Sequence, residues 1–232
     1  MNTIGIICAM DEELEYIYNN SEIVSAKNIV GQDFYIGKFK GAKVVMVRCG
    51  IGKVNAAICA QAMIDMFAVD CIINIGVGGG IYKELKIGDV VVSTDAVEHD
   101  FDTTALGDPP GYISRMDTSV FKADEEILKI FESFKDDNAF EYNVYLGRIG
   151  SGDRFISSKE EKDRIWNTFG AYAADMEGAA IAHTCYLNKV PFVVIRSISD
   201  NADGGAEMSY NEFKDIAANN SGKILEYMID KM

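Results

Sequence analysis

Short apolar runs rich in β-branched residues alternate with helical patterns from one end of the chain to the other. The opening Thr3–Cys8 reads as a buried strand, and the acidic run Asp11-Glu12-Glu13 after Met10 marks a helix start. Alternation over Asp33–Phe39, a turn at Gly41 and a second run at Val44–Val47 predict a hairpin. The pattern is helical and Ala-rich from Gly52 to Phe67. Cys71–Ile75 then reads as a buried strand running into a glycine loop, Gly76-Val77-Gly78-Gly79-Gly80, and Val90–Val92 as another strand. Residues 101–122 are the least regular and include Gly107-Asp108-Pro109-Pro110-Gly111, a loop by composition. A helix is predicted over Ala123–Phe134, a strand over Tyr142–Ile149, a helix after Glu177 and a strand over Pro191–Ile198. The last helix is placed at Ser209, which has capping-box spacing to Glu212. With no repeat, low-complexity segment or linker, this mixture predicts a single α/β domain, residues 1–232, with a mixed, mostly parallel sheet.

Composition narrows the class. Apolar residues make up 48% of the 232 positions, which excludes disorder and suffices for a substantial core. A formal charge of −14 disfavours any sequence-independent contact with nucleic acid, whose phosphates would be repelled. It does not disfavour a nucleoside, which carries no phosphate. The five cysteines (Cys8, Cys49, Cys59, Cys71 and Cys185) lie in apolar runs without a CxxC pair and read as small buried hydrophobes. Neither a secretory leader nor an apolar stretch of membrane-spanning length is apparent. A cytoplasmic protein without membrane contact is expected.

The common cofactor motifs are incomplete. A dinucleotide-binding GxGxxG would need glycine where Ile81 stands, and Ile51-Gly52-Lys53-Val54 lacks the hydroxyl residue of a phosphate-binding loop. The two histidines, His99 and His183, have no partner at metal-ligand spacing. His183 reads as structural, and His99 as facing either a pocket or solvent at a strand end. No metal and no cofactor is expected.

Carboxylates at strand ends carry the chemistry. One strand leads to Asp11, Glu12 and Glu13, another to Asp175 and Glu177 around Met176, and a third to Asp200 after Ser199. Ligands of open α/β sheets sit outside the carboxyl ends of strands, and environments that push pKa values apart assign acid and base roles. Opposing a helix dipole is the plain alternative for the acids of a first helical turn. Arg196 within an apolar strand is harder to explain by structure alone, because a buried guanidinium needs a carboxylate partner.

Six blocks, IGIICAMDEEL, CGIGKVNAA, INIGVGGG, SGDRFI, ADMEGAAIAH and VIRSISDNAD, lie in the order and spacing of one family, with SYNEF at 209–213 adding to the match. On these blocks the chain resembles the 5′-methylthioadenosine/S-adenosylhomocysteine nucleosidases of the nucleoside phosphorylase superfamily. The resemblance implies a twisted central sheet flanked by helices, a homodimer, and hydrolysis of the N-glycosidic bond of 5′-thio-substituted adenosines. It implies that Asp200 protonates adenine at N7 with Ser199 positioning it, that Glu13 activates water, that Glu177 accepts from the ribose hydroxyls, and that Arg196 orients the acids. Phe155 would stack on adenine, the Ile156 backbone would read its edge, and Met176 would pack on the sugar. Met10 and Tyr210 would flank the ribose and 5′-alkylthio end, with Ile51, Thr103 and Leu106 contributed across the dimer. Val77, Gly78, Gly79 and Asp175 complete the implied substrate-binding set. Many relatives have Ser where Val77 stands and Phe where Tyr210 stands. A phosphorylase, a hydrolase of futalosine-type nucleosides and a nucleoside-binding protein without catalysis are the alternatives. The scarcity of arginine, six in all, weighs against phosphate as nucleophile.

Overall fold

Parallel pairing of β1 (Ile4–Cys8) with β4 (Ala42–Arg48) and β5 (Cys71–Gly80) forms the middle of one ten-stranded sheet. The computed structural model describes residues 3–132 and 141–232. On one side of this middle, β2 (Ser21–Ile29) and β3 (Gln32–Phe39) continue the sheet by hairpins, with polar, exposed β2 as its edge. On the other side the sheet closes on itself. β5 pairs with both β10 (Phe192–Asp200) and β9 (Ala171–Asp175), and β6 (Val90–Glu98) and β8 (Val144–Ser151) complete the ring. The short β7 (Phe121–Lys122) adds to β6.

The balance of strand directions differs from expectation. Pairs β1–β4, β1–β5, β5–β10, β6–β8 and β8–β9 are parallel. Pairs β2–β3, β3–β4, β5–β9, β6–β7 and β6–β10 are antiparallel. The sheet is therefore evenly mixed rather than mostly parallel, because hairpins and ring closure each reverse the chain. β1 and β10 are buried at every position, which explains the apolar runs at Ile4–Cys8 and at 192–195.

The helices are α1 (Asp11–Asn19), α2 (Lys53–Phe67), α3 (Glu125–Glu132), α4 (Lys159–Phe169), α5 (Gly178–Asn188) and α6 (Ala206–Lys231). Two helix starts move. α3 begins two residues later than expected, since Asp124 accepts from the backbone of Glu126 and Ile127. Residues 133 and 134 of the expected helix lie outside the described residues. α6 begins at Ala206, not Ser209, and Ser209 already donates its backbone N–H to the carbonyl of Gly205. The expected glycine loop is also strand: β5 runs without interruption to Gly80. All five cysteines are buried. No helix among the described residues is long and apolar enough to cross a membrane.

Candidate active site

Glu13 is the third residue of α1, and its side chain folds back over the helix start. Oε2 accepts from the backbone N–H groups of Ala9 and Met10 at 2.8 and 3.0 Å, and Oε1 from that of Val77 on β5 at 2.8 Å. The bond to Met10 is half of a capping box, so the structural and functional readings of this acid coincide. Burial raises its pKa, against the opposing pull of Arg196 and the three amides. A Cβ at Gly76 would lie 2.4 Å from Glu13 Oε1. The glycines of β5 thus let side chains approach the strand closely, a role that needs no loop and no phosphate.

Asp200 ends β10. Ser199 Oγ donates to its Oδ2 at 2.9 Å and the Ala202 N–H to its Oδ1 at 2.8 Å, while burial raises its pKa. Glu177 stands between β9 and α5, where Oε1 accepts from the N–H of Gly52 at 2.9 Å. Burial and then the charge of Asp175 push it up to about 7, opposed by Arg196. Arg196 is 1% exposed, with Nη2 2.5 Å from Asp175 Oδ2 and 3.8 Å from Glu177 Oε2. The Asp175 carboxylate is also taken by Ser151 Oγ and the N–H of Gly178. Its oxygens serve Arg196 and the start of α5, while the residue also lines the cavity.

These groups surround a cavity of 490 Å³. Its walls bring together Met10, Glu13, Ile51, Val77, Gly78, Gly79, Phe155, Ile156, Asp175, Met176, Glu177, Ser199, Asp200 and Tyr210. Tyr210 and Phe155 meet edge to face at 5.7 Å, and the Tyr210 hydroxyl lies 3.0 Å from Met10 Sδ. Ile51 lies on this chain's own wall. Arg196 lies behind the wall. Thr103 bonds Asp108, Leu106 is 82% exposed, and neither lines the cavity.

β9 ends on Asp175, which therefore stands at a strand's carboxyl end as expected. The strand runs antiparallel to β5, with Ala174 opposite Gly79, so Asp175 and Glu177 reach the site against the direction of β1 and β10. The crevice is the place where strands of both directions meet around the second half of β5.

Glu207 and Asn211 also line the cavity. With α6 starting at Ala206 they share a helical face with Tyr210, a relation hidden when the helix is begun at Ser209. Arg154, likewise unanticipated, flanks Phe155 and pairs with Glu161 at 2.7 Å. The histidines stand elsewhere. His99 is 2% exposed beside Arg164, with its imidazole pKa lowered by burial. His183 lies 3.0 Å from Glu98 and stacks on Phe121.

The raised pKa of Glu177 predicts a pH dependence of stability. An unfolded glutamate ionises near 4.3, whereas the folded one holds its proton up to about 7. As pH rises through that window the unfolded state releases a proton that the fold retains, so this group destabilises the protein progressively. The substitution Glu177→Gln removes the effect. Relative to wild type, its unfolding free energy is expected to rise by about 2–3 kcal/mol between pH 5 and pH 8. Denaturant unfolding at both pH values checks it, and an unchanged difference would contradict the assignment.

Known proteins share the fold and much of the sequence of this chain. The phosphorylase superfamily model matches residues 3–230. The 5′-methylthioadenosine/S-adenosylhomocysteine nucleosidase of Staphylococcus haemolyticus is 41% identical over 227 residues, 97% of this chain and 98% of that protein. The corresponding Neisseria meningitidis enzyme, solved with methylthio-immucillin-A, is 37% identical, with a TM-score of 0.95 and complete coverage of both chains. A Helicobacter pylori structure described as futalosine hydrolase is 33% identical, with a TM-score of 0.94 over 100% of this chain and 98% of that one. With its acids, its cavity and its full-length match taken together, this chain belongs to the 5′-methylthioadenosine/S-adenosylhomocysteine nucleosidase family of the phosphorylase superfamily.

Proposed function

We propose that Asp200 and Glu13 divide the acid and base work of N-glycosidic hydrolysis in this chain. The chain is a 5′-methylthioadenosine/S-adenosylhomocysteine nucleosidase, releasing adenine and a thioribose. The observation that carries the division of labour is the placing of two buried carboxylates on one cavity with different surroundings. Asp200 has two hydrogen-bond donors and a pKa raised by burial, which suits a group that gives a proton to N7 of the departing base. Burial raises the pKa of Glu13 as well, but against it stand three backbone amides and the Arg196 cation, which favour the ionised form that draws a proton from water. Departure of adenine leaves an oxocarbenium-like sugar, which the carboxylates of Glu13 and Glu177 stabilise. Glu177 Oε2 takes the ribose hydroxyls, Phe155 lies against adenine, and Met10, Ile51 and Tyr210 form the apolar wall for the thioether.

A phosphorylase needs cations for its anionic nucleophile. Arg154 is the one cation among the described residues lining the cavity, and it is paired with Glu161. Adenine release from methylthioadenosine is therefore expected at the same rate with and without phosphate, followed by absorbance in metal-free buffer. A phosphate requirement would assign the chain to the phosphorylases and remove the role of Glu13. Absence of release would turn the search to futalosine-type nucleosides.

The working unit we infer is a homodimer. α2 and α5 pack together and carry apolar side chains on their outer surfaces: Val54 is 70% exposed, Ile58 46% and Leu187 64%. Large apolar side chains exposed on two packed helices are a surface that a partner would cover. In such a dimer Thr103 and Leu106 are free to complete the partner's alkylthio pocket. Sedimentation of a monomer at micromolar concentration would overturn this.

A further inference from the structure

We propose that Asn74 is a positioning residue for the reaction, its side-chain amide clamping the Arg196 guanidinium where it faces Glu13, Glu177 and Asp175. The inference rests on the hydrolase reading above. Asn74 does not line the cavity. It lies in the middle of β5, fully buried, in register with Ile7 of β1 and Val194 of β10. An asparagine there has no place in an apolar strand unless both ends of its amide are used.

Both are. Nδ2 donates to the carbonyl of Ile7 at 2.8 Å, and Oδ1 accepts from Arg196 Nη2 at 2.6 Å. A carbonyl on one side and a guanidinium on the other leave only one orientation of the amide. Arg196 Nη2 thereby spends its two protons on Asn74 and Asp175, while Nη1 donates to the carbonyl of Ile195 and Nε has no partner. Asn74 and Asp175 are thus the two side chains within hydrogen-bond distance of the guanidinium. Gly76, two residues on and so on the same face of β5, makes room for the Glu13 carboxylate. One strand face therefore holds the arginine and seats the acid.

The neutrality of the amide matters. Three acids, Asp175, Glu177 and Glu13, already interact with this one cation. A carboxylate at position 74 would add a fourth negative charge and push the others further toward protonation. An aliphatic residue would leave Nη2 and the Ile7 carbonyl buried without partners. Asparagine fixes the cation without altering the charge balance.

The test separates positioning from mere support. Asn74→Ser shortens the side chain so that it cannot hold Ile7 and Arg196 together. Ser93→Ala supplies the control. Ser93 Oγ accepts from the N–H of Val194, so that variant removes a buried bond to the same strand, β10, without touching Arg196. Groups facing Glu13 are Arg196 from β10, Glu177 at the head of α5, Tyr210 from α6, and the thiols of Cys8 and Cys49. Of these, Arg196 alone is cationic. A loosened guanidinium stabilises ionised Glu13 less, so the acid limb of kcat moves to higher pH. The expected result for Asn74→Ser is a kcat lower by about 10–100-fold with KM within about threefold. Its acid limb is displaced upward by at least about half a pH unit, and that of Ser93→Ala is not.

An unmoved profile in Asn74→Ser, with losses matching those of the control, would overturn the proposal. If Asn74→Ser does not fold, Asn74→Thr, β-branched and suited to a strand, is read in its place. Failure of both to fold would make the residue structural and also overturn it. Wild-type adenine release without phosphate is measured first. Its absence would remove the hydrolase reading itself, whereas normal wild-type turnover with an unmoved variant removes only the role of Asn74.

Discussion

Replacing Asp200 by Asn is expected to lower kcat by about 10²–10⁴-fold while leaving nucleoside affinity within a few-fold of wild type. The substitution removes a transferable proton and almost nothing else. The amide oxygen can still accept from the Ala202 N–H, and the amide nitrogen can donate to Ser199 Oγ, which turns to accept. Neighbouring Ser199 and Gly79 stay in place, so the adenine-binding part of the cavity keeps its shape. What is lost is the acid whose pKa burial has raised, and with it protonation of N7 as the glycosidic bond breaks. Turnover by absorbance and affinity by calorimetry read the two quantities separately. Near-wild-type kcat in this variant would take the leaving-group role away from Asp200.

Glu13→Gln is the second large effect, and it bears on two functions at once. The carboxylate accepts three backbone N–H bonds, whereas glutamine has one oxygen and must turn its amide donor toward another donor. A stability loss of about 1–3 kcal/mol follows from the bond left unmade. Loss of the base that activates water is expected to lower kcat by about 10²–10⁴-fold. The two readouts divide the roles. A variant that melts earlier yet turns over normally would show Glu13 to be a helix cap and no more.

Much of the architecture was legible in the chain. β1 and β10 are buried on both faces, so Ile4–Cys8 and residues 192–195 read as apolar runs. The hairpin of β3 and β4 shows through its alternation and its glycine. β2 does not show: an exposed edge strand of Ser, Glu, Lys and Asn has little apolar signal to read. The β5 glycines suggested a loop because propensity disfavours glycine in strands. Their reason lies in contacts made by residues far away in sequence, Glu13 against Gly76 and Asp200 against Gly79.

The same division holds for the site. Motif blocks and acid positions named the cavity's acids and most of its walls, since the chemistry of glycosidic cleavage demands those residue types. Local sequence determined which side chains exist and which strands are buried, because burial leaves its periodicity in the chain. Only the tertiary structure decided that Asp175 pairs with Arg196, that Arg196 stands behind the wall, and that Asn74 holds it. It also decided that β9 enters against β5, and that α6 starts early enough to bring Glu207 and Asn211 to the cavity. These outcomes depend on which strands close the ring and on which donor reaches which oxygen. The contacts that join distant residues, such as Asn74 with Arg196 and β5 with β9, leave no periodic trace in the sequence.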